Sequence, residues 1–374
     1  MRSVKSALYA VDGRIRRVVT LDALALEWNE ERSFALLVRT TEERASLDRL
    51  IGAGLTNVCA IDSNLLEPGD VIRHESTPGK VAVLFRESDT HHAIFLTNRC
   101  NSLCLMCSQP PTPQDDSWLV DQAINVIRHM GTAPKRLGLT GGEPLLLGTA
   151  LRNVLDSIDD ALPGTQVDLL TNGRLLADEG LASAVLADLR TPTSWLVPLY
   201  GHADFLHDFV VQAPGAFEQT ISGLLRLREH EQRIQLRIVL IKPVLEHLPS
   251  LCEFIGRNLP FVREVALMAC EPIGYALANR EATEVDLSDW MDAILEGTRM
   301  LRRHRVPFIF MNAPLCSLPR ELWPFARKSI SDWKNVYASD CERCSVKSEC
   351  SGLFAWHERG WTPTKLRPIE EIAS

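Results

Sequence analysis

The sequence predicts an α/β fold whose main part is a partial (β/α)6 barrel. Apolar runs of strand length recur after residue 91, and amphipathic stretches of helix length separate them. The 374 residues are enough for one large domain with smaller additions. Six such units are too few for a closed eight-stranded barrel. We expect a small N-terminal α/β or β-rich domain over residues 1–90, the barrel over 91–305 and an irregular C-terminal module over 306–374.

Strands and helices alternate along the predicted barrel. The predicted strands cover residues 93–97, 136–140, 166–171, 194–200, 233–242 and 262–268. The predicted helices cover residues 118–130, 149–160, 175–189, 215–230, 249–257 and 287–303. Before the barrel, strand-like runs at 33–39 and 80–85 and a helical spacing at 43–53 indicate the small domain. Active sites of such sheets lie at the C-terminal ends of the strands.

The composition argues against several classes of protein. Apolar residues make up 45% of the chain and charged residues 24%, the ordinary globular mixture. A net charge of −8 argues against a broad basic face for nucleic acid, so a small-molecule or polypeptide substrate is expected. No segment approaches 18 uninterrupted apolar residues, and the N-terminus does not resemble a signal peptide. We therefore expect a cytoplasmic protein without a membrane partner.

Ten cysteines in a reducing cytosol indicate metal ligation or catalysis rather than disulfides. Seven of them fall in two groups, which are Cys100, Cys104 and Cys107 early in the barrel and Cys316, Cys341, Cys344 and Cys350 in the tail. The first group has C-x3-C-x2-C spacing and follows the first predicted strand. Three thiolates can hold one [4Fe–4S] cluster and leave one iron open for a cofactor. A structural zinc site needs four ligands, and no fourth candidate lies nearby.

A second motif, Leu139-Thr-Gly-Gly-Glu-Pro144, stands at the end of the second predicted strand. Gly141 and Gly142 allow a ligand to approach the backbone closely. Glu143 is able to accept hydrogen bonds from an ammonium group. Alone, the motif is typical of a plain βα turn, but one strand after the cysteines it indicates a cofactor site.

Together, the cysteine triplet and the Gly-Gly-Glu-Pro motif resemble the radical SAM superfamily over about residues 93–274. The resemblance implies that Cys100, Cys104 and Cys107 ligate a catalytic [4Fe–4S] cluster. It also implies that S-adenosylmethionine binds the open iron and is cleaved reductively to a 5′-deoxyadenosyl radical. The two glycines and Glu143 would then bind the methionine end of the cofactor.

Later strand ends are implied to contact the ribose and adenine of the cofactor. Asn172 matches the end of the third strand in this pattern. In the fourth strand, Tyr200 replaces a polar residue that many relatives have, and it is the candidate contact there. Arg237 on the fifth strand faces the cofactor carboxylate, a substrate or solvent. Met268 on the sixth strand either lines the adenine pocket or belongs to the core.

The second cysteine group has C-x2-C-x5-C spacing from Cys341 to Cys350, with Cys316 upstream. Four thiolates can close either an auxiliary Fe–S cluster or a zinc site, and spacing does not separate the two. The pattern is similar to the core of the SPASM extension of radical SAM peptide maturases, which implies one auxiliary [4Fe–4S] cluster. The next ligand of that pattern would fall near Phe354, so a second auxiliary cluster is not expected.

Four segments, at 97–111, 271–276, 331–335 and 350–354, resemble the C-type radical SAM maturase of His-Xaa-Ser systems. This resemblance implies hydrogen abstraction from a small ribosomal peptide with His-Xaa-Ser repeats. The partners would be a second radical SAM maturase and a reductant such as flavodoxin or ferredoxin. Two alternatives stay open. In the first, the chain is a radical SAM enzyme that acts on a small metabolite or nucleotide. In the second, it is a non-catalytic Fe–S partner of a companion maturase.

Overall fold

The structure is a computed structural model that describes residues 2–5, 7–8, 13–75, 79–331, 334–358, 361 and 365–370. It contains a seven-stranded sheet, an eight-stranded sheet and a two-stranded ribbon. Residues 332–333, which belong to the His-Xaa-Ser resemblance, lie outside the described residues. In the described part of the chain, no helix is both long and apolar enough to span a bilayer.

The N-terminal sheet is a mixed sheet with the order β1-β7-β6-β3-β4-β5-β2. Its strands are Arg2–Lys5 (β1), Ala7–Leu8 (β2), Ile15–Val19 (β3), Phe34–Leu37 (β4), Val58–Asp62 (β5), Val71–His74 (β6) and Lys80–Phe85 (β7). The helices Leu21–Glu27 (α1) and Thr41–Gly52 (α2) belong to the same part of the chain. A capping box between Thr40 and Glu43 begins α2, because each residue's side chain accepts from the other's backbone N–H.

The second sheet is parallel throughout and follows the chain order from β8 to β15. Its strands are Ala93–Phe95 (β8), Arg136–Thr140 (β9), Gln166–Leu170 (β10), Thr193–Pro198 (β11), Arg233–Leu240 (β12), Glu264–Ala269 (β13), Phe308–Met311 (β14) and Ala326–Arg327 (β15). Since β8 and β15 are the two edges, the sheet is an open barrel, which confirms the predicted fold class. The sequence prediction missed β14 and β15, which extend the sheet past residue 305. Asn335–Val336 (β16) and Leu353–Phe354 (β17) form the separate ribbon.

Ten helices follow or separate the strands of this sheet in the described residues. They are Trp118–His129 (α3), Thr149–Ala161 (α4), Glu179–Leu186 (α5), Asp204–Val211 (α6), Ala216–Glu229 (α7), Lys242–Leu245 (α8), Leu248–Asn258 (α9), Tyr275–Ala278 (α10), Arg280–Thr283 (α11) and Met291–Arg303 (α12). Short 3-10 helices cover Pro144–Leu147, Arg174–Ala177, Leu287–Trp290, Leu315–Ser317, Arg320–Phe325, Ser339–Arg343 and Ala355–Glu358. The predicted helix at 175–189 divides into a 3-10 helix and α5. The sequence prediction missed α6 and the three four-residue helices.

Burial along β12 explains how the sheet presents a polar inner face. Ile234, Leu236 and Ile238 are fully buried and belong to the main core with the helices. The intervening Gln235 and Arg237 are half-buried and line a cavity inside the barrel. Because side chains alternate between the two faces of a strand, this pattern directs the polar residues of β12 inward.

The N-terminal sheet packs against the first units of the barrel. The backbone N–H of Ser33 donates to Nε2 of His129, at the end of α3, over 3.0 Å. The rings of Phe85 and His92 lie 4.7 Å apart between their centroids. Phe85 also belongs to the same buried core as the barrel strands. The two parts therefore share an interface at the edge formed by β8 and α3.

Candidate functional site

The first cysteine group occupies the loop that leaves the C-terminal end of β8. Cys100, Cys104 and Cys107 are all partly buried. Burial, together with the charges of Glu143 and Cys107, raises the pKa of Cys100 to about 11. Burial raises the pKa of Cys104 to about 12, with added repulsion from Cys107 and Cys100. Three thiolates close enough to repel one another fit a centre of positive charge, as the irons of an Fe–S cluster provide.

The start of this loop is fixed by one buried carboxylate. Asp116 accepts hydrogen bonds from Oγ1 of Thr97 over 3.0 Å and from the backbone N–H of Asn98. Nε of Arg99 lies 3.5 Å from the other carboxylate oxygen. Asp116 thus orients the residues immediately before Cys100, although nothing in its sequence spacing points to this role.

The end of the loop is fixed by the segment that follows β13. The backbone N–H of Tyr275 donates to the carbonyl of Cys107 over 2.8 Å, and Nδ2 of Asn279 donates to the carbonyl of Leu105 over 3.0 Å. Gly274 has a φ of +64°, and a Cβ there would collide with the carbonyl oxygens of Cys107 and Ser108. The glycine therefore permits the close approach of two backbone segments.

The Gly-Gly-Glu motif lies directly beside the cysteine loop. The backbone N–H of Gly142 donates to the carbonyl of Thr97 over 2.6 Å, and that of Glu143 donates to the carbonyl of Arg99 over 2.8 Å. A Cβ on Gly141 would lie 2.6 Å from the carbonyl oxygen of Thr97. In this structure the two glycines therefore make room for the cysteine loop itself. Their contact with a cofactor stays a prediction.

Glu143 is 1% exposed, and its carboxylate is occupied by donors from the protein. Oε1 accepts from Oγ1 of Thr171 over 2.5 Å and from the backbone N–H of Leu145 over 2.9 Å. Oε2 accepts from the backbone N–H of Asn172 over 2.6 Å. Burial raises the pKa of Glu143, although these bonds and the charge of Arg174 oppose the change. The side chain joins the ends of β9 and β10 and is not open to an ammonium group here.

Asn172 and Tyr200 both lie at the same edge of the sheet as the cysteines. Nδ2 of Asn172 donates to Oδ1 of Asn101, inside the cysteine loop, over 2.6 Å. The side chain of Tyr200 is buried, and burial raises its pKa well above 10. The charges of Cys104 and Cys107 add to that increase.

Arg237 and Met268 line a cavity of about 1100 Å³ inside the barrel. Burial lowers the pKa of Arg237, while Asp168 and Tyr200 oppose this change. Nε of Arg237 donates to Oε1 of Gln235 over 3.2 Å. The sequence leaves open whether the Arg237 side chain points into the barrel or toward solvent. In the structure it points into the barrel interior.

The four cysteines of the second group line one common pocket in the C-terminal module. Burial raises the pKa of Cys316 and of Cys341, and the charges of Cys350 and Cys344 contribute to both increases. Sγ of Cys350 accepts backbone N–H groups from Leu315 and Gly352, each over 3.4 Å. Such N–H···S bonds stabilise a ligand thiolate and are typical of Fe–S sites.

The four thiols of the second cysteine group do not have the spacing of a single-ion site. Within the described ranges, no three His, Cys, Asp or Glu side chains are grouped closely enough to hold one metal ion. Four thiolates at about 2.3 Å from a zinc ion would be in van der Waals contact with one another. The second cysteine group is therefore not closed around a single ion in this structure.

Comparison with known proteins gives one family match and one relative. Residues 94–255 match the family model described as the Radical SAM superfamily. The probable GTP 3′,8-cyclase of Methanopyrus kandleri is 27% identical over 203 residues, which are 52% of this chain and 60% of that protein. The chain thus spans less than two thirds of the length of that curated relative.

Two solved structures resemble this one. The anSMEcpe structure with bound AdoMet has a TM-score of 0.50 at 13% identity, and the match covers 74% of this chain and 88% of that chain. SuiB of Streptococcus suis, bound to S-adenosylmethionine, has a TM-score of 0.47 at 14% identity, with 59% of this chain and 50% of that chain covered. At such identities the likeness to anSMEcpe concerns the fold alone. Residues 94–255, which include the cysteine loop at the end of β8, are thus similar to the radical SAM superfamily, whose members bind a [4Fe–4S] cluster and S-adenosylmethionine.

Proposed function

We propose that this protein is a radical SAM peptide maturase. The observation that carries the proposal is the position of Cys100, Cys104 and Cys107, which follow the first strand of an open parallel barrel and directly precede Ser108 and Gln109 in the lining of the barrel cavity. When bound, the cluster and S-adenosylmethionine supply a 5′-deoxyadenosyl radical that abstracts hydrogen from a substrate carbon. The chain's own residues would hold the three ligand thiolates, orient the cofactor and exclude water from the cavity.

The proposed cofactor contacts divide between backbone and side chains. The strand end at Gly141 and Gly142 would bind the methionine end through the backbone, since the Glu143 side chain is already bonded within the protein. Arg237 is the proposed contact for the cofactor carboxylate, because its side chain lines the cavity and its guanidinium is able to bind a carboxylate. Met268 lines the same cavity.

A ribosomally made peptide is the substrate that we propose. The resemblance of residues 97–111, 271–276 and 350–354 to His-Xaa-Ser maturases supports a precursor with His-Xaa-Ser repeats and a companion radical SAM protein. The cavity of about 1100 Å³ is the space that we propose for S-adenosylmethionine and the reacting part of the peptide. A flavodoxin or ferredoxin would deliver the electron.

We also propose that Cys316, Cys341, Cys344 and Cys350 hold one auxiliary [4Fe–4S] cluster. Two backbone N–H groups directed at Sγ of Cys350 would stabilise a ligand thiolate at this position. The module is joined to the barrel through Glu271, whose Oε1 accepts from Lys334 over 3.2 Å and from Trp356 over 2.6 Å.

The experiment that tests the peptide substrate is mass spectrometry of a synthetic precursor. The reduced, reconstituted protein is incubated with S-adenosylmethionine, the companion protein and a peptide containing His-Xaa-Ser repeats. We expect a mass change that requires the cofactor and is lost in Cys100→Ala. The matched control peptide has each His replaced by Gln. An unchanged precursor together with abundant cofactor cleavage contradicts the peptide proposal.

One observation favours a nucleotide substrate as a second candidate. The similarity to a probable GTP 3′,8-cyclase extends over 203 residues, which are 52% of this chain. The same incubation with GTP in place of the peptide separates the two candidates. A new nucleotide product that depends on Cys100 would support the nucleotide reading, whereas recovery of unchanged GTP would leave the peptide as the leading substrate.

A further inference from the structure

Arg174 bridges the end of β10 and the cysteine loop. Nη1 donates to the carbonyl of Asn101 over 2.5 Å and to Oγ of Ser102 over 2.9 Å. Nε donates to Oε1 of Gln219, on α7, over 2.8 Å. Both loop acceptors lie between the first two cysteines, so the guanidinium restrains the segment that sets the separation of those two ligands.

The neighbouring Asn172 strengthens this bridge. Its Nδ2 donates to Oδ1 of Asn101, and its own Oδ1 accepts the backbone N–H of Arg174 over 3.1 Å. The residue before Arg174, Gly173, has a φ of +72°, so the backbone turns sharply where the strand ends. Asn172 and Arg174, which both follow β10, thus both donate hydrogen bonds to Asn101 of the cysteine loop.

The bridge also brings a positive charge to the ligands. The three hydrogen bonds of Arg174 go to a carbonyl, a hydroxyl and an amide, which are neutral acceptors. None of these acceptors neutralises the guanidinium, which lies against the loop segment between Cys100 and Cys104, and its charge opposes the effect of burial on the pKa of Cys104 and of Glu143. In a partly buried site such an interaction is screened less than in water.

We propose that Arg174 is a positioning residue for the catalytic cluster, which fixes the loop between the first two ligands and raises the reduction potential of the cluster. The proposal rests on the proposed function, because it needs a [4Fe–4S] cluster on the three cysteines. One-electron reduction makes a thiolate-bound cluster more negative. A fixed cation beside Cys104 favours the reduced state, and net charge and hydrogen bonding are known determinants of cluster potentials.

Two substitutions separate the charge of Arg174 from its hydrogen-bonding fork. Arg174→Gln removes the charge, and Arg174→Lys keeps the charge without the planar fork. The matched control is Arg226→Gln, which removes a surface arginine that bonds Glu229 on α7. Each protein is reconstituted anaerobically in a chain that carries Cys341→Ser and Cys344→Ser, so that the signal of the first cluster is measured alone. Iron content, circular dichroism and the midpoint potential by electron paramagnetic resonance are then recorded.

The expected result is a lower midpoint potential in Arg174→Gln. At fixed ambient potential the ratio of reduced to oxidised cluster should fall about tenfold, which is about 59 mV for a one-electron couple. Arg174→Lys should restore the potential but should alter the line shape of the reduced cluster, because the loop bonds are lost. Arg226→Gln should match the parent protein in both respects.

A milder variant keeps the proposal testable if Arg174→Gln fails to fold or to hold iron. Gln219→Leu removes only the exposed acceptor of Nε, and we expect a smaller shift in the same direction. Potentials equal to that of the parent in both variants would overturn the role of Arg174 while the proposed function stands. A parent protein that holds no cluster on the three cysteines would overturn the proposed function, and this inference with it.

Discussion

The backbone N–H of Asn172 donates to Oε2 of Glu143 over 2.6 Å and joins the end of β10 to the end of β9. The other oxygen of the same buried carboxylate accepts from Thr171 and Leu145. Three donors from two strand ends thus depend on one side chain that water does not reach. This arrangement places Asn172 and the following Arg174 against the cysteine loop.

Loss of this carboxylate should destabilise the barrel. Each buried donor that is left without an acceptor costs about 1–3 kcal/mol, so Glu143→Ala should lower the free energy of unfolding by about 3 kcal/mol or more. Urea unfolding of the iron-free protein measures this change. The control Glu218→Ala removes an exposed carboxylate on α7 and should change stability by less than about 0.5 kcal/mol. Equal, small effects would contradict the role of Glu143.

The close approach of Gly274 to the cysteine loop predicts a selective loss of iron. In Gly274→Ala the new Cβ would collide with the backbone of Cys107 and Ser108, so the last ligand would be displaced. Gly164→Ala is a matched control, because Gly164 also has positive φ but a Cβ there meets nothing within 4 Å. We expect iron binding to the first cysteine group to fall in Gly274→Ala alone. Full iron content in that variant would contradict the observed contact.

His207 predicts a specific dependence of stability on pH. Burial lowers the pKa of His207 to about 4, and Nδ1 accepts the backbone N–H of Tyr200 over 3.1 Å. Above pH 6.5 the imidazole is neutral in both the folded and the unfolded chain, and its contribution to stability is complete. As the pH falls from 6.5 toward 4, only the unfolded chain takes up the proton, so stability is lost.

The expected loss from His207 is about 2 kcal/mol between pH 7 and pH 5. His207→Asn lacks this contribution. Between pH 7 and pH 5 its free energy of unfolding should therefore fall by about 2 kcal/mol less than that of the wild type. Urea unfolding at both pH values tests this, with His91→Asn as a control at an exposed position. A pH dependence in His207→Asn identical to that of the wild type would show that His207 does not contribute.

If the second cysteine group holds its own cluster, substitutions there should remove its iron without removing the iron held by the first group. Replacing both Cys341 and Cys344 by Ser should reduce the iron content from roughly eight to roughly four atoms per chain, one cluster's worth. The remaining iron should disappear only when the first cysteine group is also replaced. Detection of about one zinc atom per chain, lost in the double variant, would contradict the auxiliary cluster and identify a four-cysteine zinc site.

Much of the barrel was predictable because its strands are apolar and its helices amphipathic. Strands β8 to β13 lie where the apolar runs indicated, each within a few residues. The sequence prediction missed β14, because Phe308–Met311 is a short run within a segment rich in Pro, Trp and Cys. It missed α6 for a related reason, since eight residues give too few turns for a periodic pattern.

The sequence could indicate candidate site residues only where they form a short motif along the chain. The spacing of Cys100, Cys104 and Cys107 predicts one cluster of thiols, and their role as ligands stays a prediction. Arg174 had no such signal, because it acts on Ser102 across 72 residues of sequence. The hydrogen bonds that Asp116 accepts from Thr97 and Asn98 likewise form only in the folded chain. Long-range hydrogen bonds of this kind leave no periodicity to detect.

The central claim is tested most directly by anaerobic cleavage of S-adenosylmethionine. The protein is reconstituted with iron and sulfide, reduced and given the cofactor, and 5′-deoxyadenosine is measured beside the iron content. We expect the nucleoside from the wild type and none from the triple Cys100/Cys104/Cys107→Ala variant, which should still retain roughly four irons. If the wild type binds iron but yields no 5′-deoxyadenosine, even with the peptide and the companion protein present, the catalytic account is contradicted and the role of a non-catalytic Fe–S partner replaces it.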